Sequence, residues 1–145
     1  MNEHPLILAF ESSCDDTSVA LVQGHTVLSN IISSQAIHAQ WGGVIPELAS
    51  RAHIESISLL TTTALQEAQR SLQDIHAIAC TTQPGLLGSL LVGASYAKGI
   101  ALRYNLPCVP VHHIEGHIYS PFLEDSTLSF PAVVLVVSGG HTTLF

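Results

Sequence analysis

The sequence is short of positive charge. Only four of its 145 residues are Lys or Arg, against eleven Asp and Glu, for a net charge of −7. Nucleic-acid affinity rests largely on cationic groups that displace counterions from phosphates, so this chain taken alone is a poor nucleic-acid binder. Charged residues of both signs make up only 10% of the chain, and no proline-rich, serine-rich or like-charge run is present, which excludes the disordered classes. The three cysteines, Cys14, Cys80 and Cys108, are far apart and include no C-x-x-C pair. That excludes a disulfide framework and a cysteine zinc knuckle, and leaves them as small residues in a reducing compartment. Long apolar runs are missing too. The run at residues 6–10 is too short for a signal peptide or a membrane span and has no positive region before it. Residues 86–104 are interrupted by Ser89, Ser95, Lys98 and Arg103, so they read as a buried helix of a protein outside the membrane, and a cytoplasmic chain is expected.

What is present is apolar and patterned. Hydrophobic residues reach 47% in a chain about one domain long. "LILAFES", "TSVALVQ" and "TVLSNIISSQ" are β-rich runs separated by "SCDD" and by Gly24-His25, and they predict a three-strand meander. Pro46 suits the first turn of a helix, and Leu48, Ala52, Ile57, Leu60, Ala64 and Leu65 follow at approximately helical spacing. "IHAIACTT" reads as a buried strand, "QPG" as a turn, and residues 86–104 as a second helix, with Ser89, Gly93 and Ala97 letting its backbone approach a neighbour. "PCVPV" is another short strand. Strands followed by alternating helix and strand define an α/β layer structure, a mixed sheet with helices on its faces. The last segment, "AVVLVVSGGHTTLF", repeats the strand, turn and strand plan of "LILAFESSCDDTSVALV". Two such units, each opening a domain, suggest the duplicated actin-like (ribonuclease H-like) architecture of the actin and sugar-kinase superfamily. Residues 1–128 would then form an N-terminal actin-like domain and 129–145 the first strands of a second, related one.

"PVHHIEGHIYSP" places three histidines and a glutamate within six residues. His113 and His117 are four apart. On a helix their Cβ atoms would lie roughly 5–6 Å apart on one face, within reach of one ion; on a strand they would be about 13 Å apart, too far. The metal reading therefore requires a helix beginning near His113, although Gly116 opposes one by about 1 kcal/mol. The competing reading is a set of solvated or core-satisfied histidines. The spacing resembles the zinc-peptidase pattern H-E-x-x-H, but Glu115 is two residues after His113 and would point roughly 200° away, so a peptidase would lack its base. His112 lies off the pair's face, structural or outer-shell. A third ligand is needed, a carboxylate by preference, and Glu11, Asp15, Asp16 and Glu47 all stand open for it.

Three turns could hold an anion or a hydrated cation. "VSGGHT" could offer backbone N–H groups to a phosphate. "SSCDDTS" could position an ion through Ser13, Asp15, Asp16 and Thr17, or simply form a solvated turn. "QPGLLGS" is better explained by packing than by anion binding at a helix start. Glu47 and Arg51 are spaced for a surface ion pair.

In order, "FESSCDDTSVAL", "SSQAIHAQWGGVIPELASRAH", "TTQPGLLGSLLVGASYAKG", "PVHHIEGHIYSP" and "VVSGGHT" resemble the tRNA threonylcarbamoyladenosine transferase family, formerly called O-sialoglycoprotein endopeptidase. The resemblance implies transfer of a threonylcarbamoyl group from threonylcarbamoyl-AMP to the adenosine 3′ of the anticodon in tRNA. It makes His113 and His117 two ligands of an iron or zinc ion, whose remaining ligand is an aspartate in the family's C-terminal half. It makes Val136, Val137, Ser138, Gly139 and Gly140 part of a substrate-binding turn. It implies a paralogous noncatalytic subunit and a small ATPase subunit as partners. Family members run to more than twice this length, so the fragment alone is expected to be inactive. Gln83 stands where the family usually has a small residue before Pro-Gly-Leu. Two other readings are a noncatalytic, paralogue-like scaffold or dimerisation domain, which the histidine pair opposes, and a sugar-kinase-like phosphotransferase.

Overall fold

A computed structural model of the chain describes residues 4–125, 127–137 and 142–145. Strand β1 (Leu6–Glu11) alternates strictly, with Leu6, Leu8 and Phe10 buried and Ile7, Ala9 and Glu11 on the other side. This period of two gives the sheet one apolar face. β2 (Asp16–Gln23) pairs antiparallel with β1, setting Leu8 opposite Leu21 and Phe10 opposite Val19, so both strands send their large residues the same way. β3 (Thr26–Ser34) completes the meander on β2, with a register shift at Leu21/Val22. β4 (Ala77–Gln83) joins the other edge of β1 in parallel, and β5 (Cys108–His112) follows β4 in parallel. The sheet order is β3-β2-β1-β4-β5.

Two long helices cover the apolar face. α1 (Pro46–Glu67) starts on Pro46, whose missing N–H costs nothing in a first turn. α2 (Leu87–Tyr104) ends on Asn105 in the left-handed conformation, with Arg103 in the last turn suiting the negative end of the helix dipole. Ile57 and Ala64 of α1 and Ala97 and Ala101 of α2 join Leu8, Phe10, Val19, Leu21 and Ile78 in a single core. The short helices α3 (His113–Tyr119) and α4 (Pro121–Glu124) follow β5. β6 (Leu135–Val137) and β7 (Thr142–Leu144) pair antiparallel as a separate two-stranded sheet near the end of the chain; the turn that the repeat places between them lies outside the described residues. None of the described helices is long and apolar enough to cross a membrane.

The meander, both long helices and both later strands form where periodicity predicts them. The inner stripe of α1 differs. Its buried residues are Ala49, His53, Ile57, Thr61 and Ala64, so two polar side chains face inward while Leu48, Leu60 and Leu65 are only partly buried. Small and hydrogen-bonded groups let α1 sit close to the sheet: Thr61 Oγ1 donates to the Ile57 carbonyl at 2.7 Å, and Ser29 Oγ of β3 donates to the Ala64 carbonyl at 2.9 Å. The 3-10 turn Ala36–Gln40 and α4 carry no apolar periodicity and were not expected.

Close approach also fixes α2. A methyl group at Gly93 would collide with Ser12 Oγ, whereas one at Gly99 would meet open space. Gly93→Ala should therefore destabilise the fold by about 1–2 kcal/mol, the strain of overpacking outweighing the gain in helix propensity. Gly99→Ala, on the exposed side of the same helix, should stabilise by about 1 kcal/mol. Urea midpoints of the two variants, shifting in opposite directions, check the depth at which α2 is seated.

Candidate functional site

β1, β4 and β5 run parallel, so their C-terminal ends open onto one edge of the sheet, where α/β folds place their ligands. Glu11 ends β1, Thr81 lies near the end of β4, and His113 follows β5 directly. Glu11 and Thr81 meet on the face away from α1 and α2, with Thr81 Oγ1 donating to Glu11 Oε2 at 2.6 Å. The Ser13 N–H donates to Glu11 Oε1. His113 Nδ1 lies 3.1 Å from Glu11 Oε2 and 3.2 Å from Ser13 Oγ. Burial by itself would raise the Glu11 carboxyl, but hydrogen bonds from Ser13, Thr81 and His113 outweigh it and hold the group below the ordinary glutamate value.

An ionised Glu11 only accepts, so the proton between the two residues sits on His113 Nδ1. In the neutral ring Nε2 is then the acceptor. His117 stands one helical turn on, its Nε2 3.1 Å from His113 Nε2, with the two rings 4.5 Å apart and near perpendicular. The helix that the spacing required begins at His113 itself. Tetrahedral zinc with nitrogen ligands at about 2.0–2.1 Å would separate them by about 3.3 Å, so the donor pair suits one ion with a shift of a few tenths of an ångström. Glu11 is on the opposite side of the His113 ring from this point. Glu11 therefore orients the imidazole through Nδ1 and does not reach the space between the two Nε2 atoms. Among the described residues no group of three His, Cys, Asp or Glu side chains converges to hold an ion.

The remaining candidates divide clearly. Glu47 is engaged with Arg51 at 2.7 Å in an exposed pair, contributing about 0.3–0.5 kcal/mol. Glu115 is exposed on α3, and the carboxylate at the histidine pair is that of Glu11. His112 ends β5, and its buried Nδ1 has no partner among the described residues. "QPGLLGS" is a packing element: a Cβ at Gly85 would strike the Ser13 carbonyl, and the Leu86 N–H donates to that carbonyl at 2.8 Å. Burial and then Asp15 push the Cys14 thiol up to about 11, and burial and then Cys108 do the same for Cys80, so neither is a nucleophile at neutral pH. Val136 and Val137 lie on β6, whereas Ser138, Gly139 and Gly140 fall outside the described residues. Sequence reasoning treated Glu11 as one of four open carboxylates and missed Thr81 and the bond from Ser13; the only available signal was that Glu11 closes a strand.

The sheet order, the crossover through α2 and the paired imidazoles at the strand ends define an actin-like α/β fold carrying a two-histidine site. The same fold occurs in YeaZ from Pseudomonas aeruginosa, with a TM-score of 0.63 and 18% identity over 97% of this chain and 64% of that one. The family model TsaD, tRNA N6-adenosine threonylcarbamoyltransferase, matches residues 26–145, and the chain belongs to this family. Proteins of that name from Pelobacter propionicus and Staphylococcus haemolyticus are 56% and 52% identical to it, over 97% and 99% of this chain. The chain spans 42% of the length of each.

A carboxyl held below its unfolded value stabilises the fold at pH values above the ordinary glutamate pKa of 4.5 and loses that contribution as pH falls through the lowered folded value. Glu11→Gln should therefore be less stable than the parent near neutral pH. The gap should narrow on acidification below 4.5. Denaturant unfolding of both proteins across that range checks the sign.

Proposed function

We propose that this chain is the N-terminal part of an enzyme that moves the threonylcarbamoyl group of threonylcarbamoyl-AMP onto the exocyclic amine of the adenosine 3′ of the anticodon in tRNA. The observation that carries the reading is the Nε2 pair of His113 and His117, formed at the strand ends of a chain 56% identical to a protein of that name. Residues 1–128 form the actin-like first domain, and the hairpin from 129 opens the second. His113 and His117 hold an iron or zinc ion, both of which accept imidazole, and an aspartate outside this chain completes the set. When bound, the ion acts as a Lewis acid toward the carbamoyl carbonyl or the adenylate phosphate.

The chain's own residues position the reactants. Glu11 keeps the His113 proton on Nδ1 and its lone pair directed at the site. The segment that the resemblance makes substrate-binding, Val136 and Val137 at the end of β6 with Ser138, Gly139 and Gly140 after it, would supply backbone donors to an anionic group. The amine nitrogen bonds to the carbamoyl carbon as that carbon's bond to the phosphate oxygen breaks; AMP leaves with the electron pair, and the proton lost by the amine passes to the departing phosphate or to water. Because the donor is already an activated anhydride, no nucleophilic side chain is required and orientation dominates.

With a net charge of −7, the chain leaves most of the tRNA contact to the rest of the protein or to partners in a cytoplasmic assembly. A paralogous noncatalytic subunit docks on the helical side, where Ile54 and Leu59 of α1 and Leu87 and Leu91 of α2 are exposed; a small ATPase subunit acts with them.

A chimera tests the whole reading: residues 1–145 of this chain replace the matching part of the Pelobacter propionicus transferase. It should modify tRNA at a rate within about tenfold of the parent, whereas the 145 residues alone should give no turnover. The double substitution His113→Ala, His117→Ala should abolish both activity and bound metal, and Glu11→Gln should weaken metal affinity by about 10–100-fold. A folded but inactive chimera, or metal content indifferent to both histidines, would overturn the assignment.

A further inference from the structure

His53 is the least expected residue of the interior. It lies on the inner face of α1, fully buried, and no part of the proposed reaction uses it. Both ring nitrogens are engaged. Nε2 is 3.0 Å from the Cys14 carbonyl, which can only accept, so the ring proton is on Nε2. Nδ1 is then an acceptor, and the Thr17 hydroxyl donates to it at 2.7 Å. Ser56 Oγ, on the same helix, is 3.0 Å from Thr17 Oγ1 and fixes that hydroxyl in turn.

The Cys14 carbonyl belongs to the turn between β1 and β2, each residue of which is tied to another part of the chain. Ser12 Oγ donates to the Ser89 carbonyl of α2 at 2.8 Å. The Ser13 carbonyl accepts from the Leu86 N–H, and the Asp15 carbonyl accepts from the Gln35 N–H at 3.2 Å. Cys14 is the one position of this turn held by a side chain of α1. It immediately follows Ser13, whose N–H and hydroxyl meet Glu11 and His113. A second histidine ties the approach to α1 into the same network: His38 Nε2 lies 2.8 Å from Gln35 Oε1, and the Ile45 N–H donates to His38 Nδ1 at 3.3 Å.

We propose that His53 is a positioning residue for His113, acting through the Cys14 carbonyl to hold the Glu11–Ser13 turn at the His113 Nδ1 atom. It contacts neither His113 nor His117. Its effect is on which nitrogen of His113 carries the proton and on where the ring points. The proposal deepens the metal-site reading, but its readout requires no metal.

The test is nitrogen NMR of histidine-labelled, chelator-treated full chain at a pH where imidazoles are neutral, with the His113 signals assigned by His113→Gln. In the parent, His113 should show a protonated Nδ1 and a bare Nε2. His53→Gln, whose amide can still donate to the Cys14 carbonyl, should retain that pattern. His53→Leu, which cannot, should bring the two nitrogen shifts together as the ring exchanges between tautomers. If the leucine variant does not fold, Thr17→Val decides: it removes the 2.7 Å donor to His53 Nδ1, together with the acceptor of Ser56 Oγ, leaves only the longer contact from Gln35 Nε2 at 3.5 Å, and should shift the pattern in the same direction by less. Ile57→Ala destabilises the same helix without touching the turn and should leave His113 unchanged. An unaltered His113 in folded His53→Leu or Thr17→Val would overturn the proposal, and so would an equal change in Ile57→Ala. Absence of metal binding by a protein with the parental pattern would count against the metal reading and not against this one.

Discussion

The site depends on the placement of the four-residue turn after β1. Its backbone is held at one point by the first turn of α2, at another by a buried imidazole of α1 and at a third by the end of β3. A turn left to water would sample many arrangements, because each residue has about 1–2 kcal/mol of backbone entropy to lose. Fixing it from several sides makes Glu11 and Ser13 a rigid platform for a histidine that lies 102 residues from Glu11 along the chain. The glycines at 85 and 93 belong to the same constraint, since α2 can reach the turn only where no Cβ intervenes.

The electrostatic solution follows from the scarcity of cations. Glu11 is partly buried in a chain with four Lys and Arg residues, and none of them serves as its counterion in the described structure. Directed hydrogen bonds take the place of a salt bridge, and their number is enough to overcome the desolvation that would otherwise favour the neutral acid. A charge stabilised in this way also has a fixed direction, which a flexible lysine would not provide. The direction is toward His113 Nδ1, and in the neutral ring it makes the nitrogen beside His117 the acceptor.

Much of the architecture was legible because it rests on local periodicity. Alternation at Leu6, Leu8 and Phe10 specifies a strand with one buried face, Pro46 marks the start of α1, and a spacing of four makes His113 and His117 neighbours once a helix is granted. The burial of His53 and Thr61 was not legible, because polar residues inside a helix ordinarily face solvent and only their partners on other elements reverse this. The inner stripe of α1 was displaced for the same reason. Glu11 could not be separated from Asp15, Asp16 and Glu47, since all four are carboxylates at sequence positions that say nothing about their neighbours in space.

The amino-acid order by itself determined the strands of the main sheet, the two long helices, their succession and the two imidazoles of α3, because these depend on contacts within a few residues along the chain. Which carboxylate stands behind His113, which histidine is buried and which nitrogen carries the proton were decided only when β1, β4 and the start of α3 came together. Those relations join residues dozens to a hundred positions apart through bonds of about 3 Å, and no local pattern of residue types encodes a distance that the packing of the whole domain sets.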